Sequence, residues 1–257
     1  MRDDRLITIC CADGGCAADA QALAEKLGLP TASVPGDGLN VVFDADGVSL
    51  MGYGMRYRGD FSEMLRRLTG GRLAHEMLAH IAKTKKENPT AIDATAGMGE
   101  DSILLAASGY TVTMFEQNPV IAALLRDAMR RGADDPELAP ILARMHLYEE
   151  DSTKSAPLLC RDADLVYLDP MFPARQKSGL IGKKLQLIQK LEQPCTAEET
   201  LWQMAVALHP GKIVVKRPLK GPVLAGKVPG YTVKGKAIRY DCYVLPADPH
   251  GKDEETK

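Results

Sequence analysis

Thr90-Ala91-Ile92-Asp93-Ala94-Thr95-Ala96-Gly97-Met98-Gly99-Glu100-Asp101 opens the part of the chain that decides the fold. It reads as a short apolar strand over residues 90–94, a tight turn, and a helix over residues 101–108. Gly97 and Gly99 let the backbone turn sharply and come close to a ligand. In an open α/β sheet such a turn sets the ligand against free N–H groups at a helix N-terminus.

The same unit repeats outward from there. Strands are expected over residues 111–116, 145–148, 163–168 and 212–216, and helices over 119–132, 153–160 and 197–208. Pro119 suits a first helical turn. Residues 231–234 and 237–245 read as a terminal antiparallel pair. Strands alternating with helices predict an α/β fold, a mostly parallel sheet with helices on both faces and an antiparallel last strand. Upstream the pattern differs. Residues 6–11 read as a strand and 17–27 as a helix. Residues 41–43 and 48–51 read as a hairpin around Asp44-Ala45-Asp46-Gly47. Residues 52–59 are too glycine-rich for a regular element, and 60–83 read as helix with a break near Gly70-Gly71. The expected organisation is a small α+β region over 1–85, an α/β domain over 86–248 and a polar tail over 249–257.

Three strand ends carry acids. Asp93, Glu100 and Asp101 surround the glycine turn. Anionic side chains repel a phosphate and suit a cationic or hydroxyl-rich ligand. S-adenosylmethionine, with a sulfonium, an ammonium and no phosphate, fits better than a dinucleotide. About 20 residues on, the next strand ends in Glu116-Gln117, where an acid typically accepts ribose hydroxyls. The third is followed by Glu149-Glu150-Asp151-Ser152, where a carboxylate can accept an adenine amino proton and Ser152 can help. Each of these acids could equally cap the helix that follows.

The fourth strand runs into Asp169-Pro170-Met171-Phe172-Pro173, which resembles the Asn/Asp-Pro-Pro-Tyr/Phe motif of class I amino-methyltransferases. An exocyclic amine on a base is a poor nucleophile because its lone pair is delocalised into the ring. A carboxylate and a backbone carbonyl that accept its two protons orient the nitrogen and stabilise the charge it develops. Asp169 is the candidate charge-stabilising acceptor and the Pro170 carbonyl the second. Phe172 is the stacking platform for a base brought out of its helix or loop. No general base is required before transfer. The residues alone leave guanine, adenine or a side-chain amide open as the target.

Charge is uneven. Residues 171–240 hold thirteen basic and three acidic residues, a local +10 within a chain of net charge −2. Arg175, Lys177, Lys183 and Lys184 follow the fourth-strand motif, and Lys216 and Arg217 end the fifth strand. A basic segment on an acidic protein suggests a surface for a polyanion such as RNA.

Taken together, Asp93–Asp101, residues 116–120, Val166-Tyr167-Leu168-Asp169-Pro170-Met171-Phe172-Pro173 and residues 214–218 resemble the bacterial 16S rRNA guanine-N2 methyltransferase family of the RsmJ type. The likeness spans about residues 50–245. It implies a class I methyltransferase sheet, S-adenosylmethionine as donor, and N2-methylation of one guanosine near the 3′ end of 16S rRNA, free or in the small ribosomal subunit. By position it implies cofactor contacts at Glu100, Asp101, Glu116, Gln117, Asp151, Ser152 and Asp169, beside the Gly97 and Gly99 turn. Glu100 stands where other members carry arginine and Gln117 replaces a basic residue, which points to backbone contacts there. Met171 replaces a second proline. The first forty residues match poorly.

The remaining numbers bound the class. The chain has 257 residues, 45% apolar and 26% charged, and no apolar run near the roughly 18 residues a membrane span needs. Met1-Arg2-Asp3-Asp4-Arg5 lacks a signal-peptide pattern, so a cytoplasmic protein is expected. Cys10, Cys11 and Cys16 cluster without a fourth ligand, so reduced thiols and no metal are expected. A nicotinamide-dependent oxidoreductase would share the glycine turn but not its acids or the Asp169 motif. A non-catalytic RNA-binding module would need neither Asp169 nor a cofactor.

Overall fold

Residues 7–12, 17–171, 187, 188, 191 and 197–245 are described by the structure, a computed structural model. Phe172, Arg175, Lys177, Lys183, Lys184, Cys16 and the expected tail lie outside them.

The first sheet is built from β1 (Ile7–Cys11), β2 (Thr31–Ala32), β3 (Leu39–Asp44), β4 (Gly47–Gly52) and β5 (Met55–Tyr57), in the order β2-β1-β3-β4-β5. Helix α1 (Ala17–Leu27) links β1 to β2. β1 runs parallel to both neighbours, and β3, β4 and β5 form an antiparallel meander. The hairpin at residues 44–47 is as expected. The glycine-rich stretch after it is not irregular. Tyr53 and Gly54 both have positive φ, 52° and 72°, the geometry of a two-residue hairpin turn, so β4 and β5 pair from Gly52 opposite Met55.

Residues 60–83 do not make the helix with one break that their apolar spacing suggests. They form 3-10 turns at Phe61–Met64 and Arg72–His75 and two short helices, α2 (Leu65–Leu68) and α3 (Met77–Ile81). Gly70 and Gly71, at φ 60° and 77°, end α2. Glu76 is extended and separates the last two pieces.

The second sheet contains β6 (Thr90–Asp93), β7 (Thr111–Phe115), β8 (Met145–Tyr148), β9 (Leu165–Leu168), β10 (Lys212–Pro218), β11 (Tyr231–Lys234) and β12 (Ile238–Val244). Its order is β11-β12-β10-β9-β6-β7-β8. Only β12 runs against its neighbours. Helices α4 (Glu100–Ala107), α5 (Pro119–Gly132), α6 (Ala139–Leu142), α7 (Ser152–Leu159) and α8 (Glu198–Ala207) connect the strands. The chain leaves β6 toward β7 and β8, then returns to the other side of β6 as β9. That reversal opens a crevice at the carboxyl ends of β6 and β9, where open α/β sheets bind ligands.

Side-chain alternation divides the core. Val214 and Tyr167 face a cluster with Ile103 and Leu104 of α4, while Ile213, Val215 and Val166 face one with Leu201 and Ala205 of α8. A third cluster joins Ile9, Val41 and Leu50 of the first sheet to Ile121 and Leu124 of α5, with Leu187, Ile188 and Leu191. The two sheets thus share a core through α5. Each fully buried Leu or Ile there contributes about 1.5–3 kcal/mol.

Candidate active site

The turn after β6 is held from below by Asp93. This carboxyl is buried: Oδ1 accepts from Thr95 N at 3.0 Å and Oδ2 from Ser102 Oγ at 2.5 Å. Burial pushes its pKa up to about 7 against those two hydrogen bonds. Asp93 therefore serves the shape of the turn and does not face a ligand. Thr95 Oγ1 accepts from Asp169 N at 2.6 Å, which ties the turn to the end of β9. Gly97 and Gly99 are left-handed, φ 54° and 76°. At Gly99 the left-handed φ favours glycine, and a Cβ there would also crowd Leu125 Cδ1 at 2.8 Å; a Cβ at Gly97 would meet nothing within 4 Å. The open side of the turn is at Gly97.

Glu116, just past β7, leans over that opening. Its Oε2 accepts from Gly97 N at 2.9 Å and its Oε1 from Asn118 N at 2.7 Å. Burial raises its pKa, opposed by these two hydrogen bonds. Each oxygen keeps a further lone pair for a hydroxyl. Gln117 and Glu100 are exposed. Asp151 caps α7, accepting from Thr153 N at 3.0 Å and Oγ1 at 2.7 Å, and Ser152 is buried beside it. Burial lifts the Asp151 pKa, but hydrogen bonds from Thr153 and Lys154 outweigh it and hold it below the usual range.

At the end of β9, Asp169, Pro170 and Met171 line a cavity of about 180 Å³ with Lys216, Arg217, Pro218 and Ile238. Lys216 Nζ stands 2.6 Å from Asp101 Oδ2 and 3.0 Å from Asp169 Oδ2. Tyr167 OH donates to the same Asp101 oxygen at 2.7 Å. Burial raises the Asp169 pKa, with Lys216 pulling the other way. For Lys216, burial disfavours the ammonium, but Asp169 and Asp101 overrule it and hold its pKa above the usual lysine value.

The structure thus brings Gly97, Gly99, Asp101, Glu116 and Asp169 to one crevice and sets Asp151 and Ser152 at the next strand end. It corrects two expectations about the basic segment. Lys216 and Arg217 are both paired with carboxylates rather than presented as free surface cations. Lys216 is bound between two carboxylates, and Arg217 is buried with its Nη2 3.1 Å from Glu198 Oε1. Arg239 also turns inward, to Asp241 and to the carbonyls of residues 218, 219, 221 and 222. Strand alternation was the available signal: neighbouring residues of one strand cannot share a face. Ser102, Thr95 and the bridging role of Lys216 were missed, because each depends on which strands and helices meet. A larger cavity, about 420 Å³ and lined by Asp60, Arg131, Asp134 and Asp135, opens at the far end of α5.

Residues 49–245 match the family described as "Putative SAM-dependent methyltransferase". A ribosomal RNA small subunit methyltransferase J of Pseudomonas aeruginosa is 39% identical over 237 residues, 89% of this chain and 91% of the relative. The chain belongs to the ribosomal RNA small subunit methyltransferase J family. A Neisseria gonorrhoeae protein of the same name is 35% identical over 88% of this chain and 90% of its own. The crystal structure of a SAM-dependent methyltransferase from Neisseria gonorrhoeae superposes with a TM-score of 0.70 at 32% identity, covering 96% of this chain and 98% of that one.

Membership in the methyltransferase J family makes S-adenosylmethionine the cofactor, and the crevice fits it. The open Gly97 turn is bordered by the Glu116 carboxylate, with Asp101 and Asp169 beyond it. That donor set suits ribose hydroxyls and positive charge, not pyrophosphate.

Proposed function

We propose that this methyltransferase acts on the N2 amine of a guanosine near the 3′ end of 16S rRNA, in the cytoplasm. One observation carries the reading. Asp169 stands at the lip of a cavity beside the cofactor turn, its side chain 37% exposed and one carboxylate oxygen held by Lys216. The small-subunit rRNA named for the curated relatives supports the substrate class.

S-adenosylmethionine supplies an electrophilic methyl group. The protein's own residues do the rest. Glu116 holds the ribose, and Asp151 with Ser152 borders the adenine. Asp169 and the Pro170 carbonyl accept the amine protons, which turns the nitrogen lone pair toward the methyl group and offsets the positive charge that grows on it. The surplus proton leaves after transfer, so no strong base is needed beforehand. Phe172 follows at once in sequence and is the proposed stacking surface for the base. The residues around the cavity accept amine protons on guanine or adenine alike, so guanine rests on the family resemblance.

The decisive experiment maps methylated nucleotides by mass spectrometry in 16S rRNA from cells with and without this protein. A guanosine that loses one methyl group in the deletion, and regains it from the wild-type gene but not from Asp169→Ala, is the expected result. An unchanged map, or a lost methyl group on adenosine, overturns the assignment.

A further inference from the structure

Lys216 and Arg217 leave β10 on opposite faces of the sheet. Arg217 goes to Glu198 at the start of α8. Lys216 goes to the α4 side, where one ammonium bridges two carboxylates from different halves of the site. Asp101 belongs to the first turn of the helix behind the cofactor loop. Asp169 belongs to the strand end that meets the substrate. Lys216 contacts Oδ2 of Asp169, and among the described residues Oδ1 has no hydrogen-bond partner. Asp101 is itself fixed, since Oδ2 also takes the Tyr167 hydroxyl.

We propose that Lys216 is a positioning residue for methyl transfer: it occupies one oxygen of Asp169, aims the other at the substrate amine, and anchors that carboxylate to the helix that carries the cofactor loop. The inference rests on the role given to Asp169 above. It reassigns a residue whose sequence context suggests only phosphate binding.

Charge supports the same arrangement. Both carboxylate oxygens touch one ammonium, so they lie within about 6 Å of each other, close enough for like charge to resist ionisation. The groups whose charge acts on Asp169 are Lys216 and, from the other face of the sheet, Arg217 of β10, Asp101 from α4, Asp93 from β6, and the phenols Tyr167 and Tyr240. Arg217 is committed to Glu198. Lys216 is therefore the cation that keeps Asp169 an acceptor against the partial desolvation that raises its pKa. With it in place, the trio of Asp101, Lys216 and Asp169 carries net charge −1, and the cation growing on the amine makes it neutral. A protonated Asp169 would give up one acceptor and that compensation.

The test compares Lys216→Met, Lys216→Arg and Asp101→Asn with the wild type in two ways. One is the pH profile of kcat and KM on 16S rRNA. The other is the ¹³C carboxyl titration of Asp169 in cofactor-free protein, its signal identified with Asp169→Asn. Lys216→Met is expected to lower kcat by roughly 100-fold with little change in KM for RNA, and to move the acid limb and the Asp169 titration to higher pH. Lys216→Arg should recover most of both. Asp101→Asn should move the Asp169 titration the other way, because a like charge is removed, and it serves if Lys216→Met does not fold. An unshifted Asp169 titration in the folded variants, even with reduced kcat, overturns the inference. Wild-type protein that transfers no methyl group to 16S rRNA overturns the proposed function instead, and the titration still decides the role of Lys216.

Discussion

Ser102 Oγ donates a 2.5 Å hydrogen bond to Asp93 Oδ2 inside the protein, one residue beyond Asp101, whose carboxylate meets Lys216 in the crevice. The pair clamps the start of α4 to the end of β6, and so fixes the turn between them. Ser102→Ala would leave a buried carboxyl oxygen without its donor. The expected cost is about 1–3 kcal/mol, read as a lower denaturation midpoint with an unchanged m-value. An unaltered midpoint would mean the clamp contributes nothing.

The same carboxyl sets a pH dependence. In the folded chain Asp93 titrates at about 7, against 3.8 for the free group. The folded state therefore holds a proton that the unfolded state has released. The stability this proton contributes is complete below the unfolded value and is lost as pH rises through about 7. Asp93→Asn mimics the protonated form. Its carbonyl can accept from Thr95 N, and its amide can donate to Ser102 Oγ. The wild-type minus Asp93→Asn stability difference should therefore slope across pH 4 to 7 and level off above it, by about 4 kcal/mol at most. Urea unfolding across that range measures it; parallel curves would place the Asp93 pKa near its ordinary value.

Among the described residues from 90 to 245, the strands of the second sheet and the helices at 100–107, 119–132, 152–159 and 198–207 were legible because their signals are local, while the short helix Ala139–Leu142 was not expected. A buried Ile213-Val214-Val215 run, glycines at Gly97 and Gly99, and acids at strand ends state strand, turn and ligand edge without knowledge of the rest of the chain. Glu116 and Asp169 could be named on that basis. The direction of Lys216 could not, because it is decided by β10 lying beside β9 and by α4 crossing above them. Residues 60–83 misled for the opposite reason. Their apolar spacing is helical, but Gly70, Gly71 and an extended Glu76 cut it into pieces too short to sustain a helix. The match of Leu50 and Leu124 across the shared core also has no signature in either segment alone.

Glu116 joins two backbone amides, one at the open glycine turn and one at the cap of α5. Its remaining lone pairs are the proposed acceptors for ribose. Glu116→Ala removes both functions. Charge-assisted hydrogen bonds contribute about 1.5–3 kcal/mol each, so the Kd for S-adenosylhomocysteine should rise roughly 10- to 100-fold by calorimetry. Glu116→Gln, which keeps one acceptor oxygen, should fall between. Equal affinity in all three proteins would remove Glu116 from the cofactor site.

With Lys216, Arg217 and Arg239 turned inward, RNA must find its cations elsewhere. Lys220, Lys234 and Lys236 are exposed. Lys183 and Lys184 belong to the segment between the Asp169 motif and Leu187, which is buried against the first sheet. Met171, the residue before that segment, lines the cavity beside Asp169, and Lys183 and Lys184 are among the first basic residues after it in sequence. Reversing Lys183 and Lys184 to Glu should weaken RNA binding and reduce the slope of log Kd against log salt by about 1–2, since each phosphate contact contributes nearly one unit. Lys216→Met should leave that slope unchanged, because its ammonium is already neutralised by Asp101 and Asp169. A salt slope that falls in Lys216→Met and not in the Lys183/Lys184 variant would return Lys216 to the RNA surface and exclude the segment after the motif.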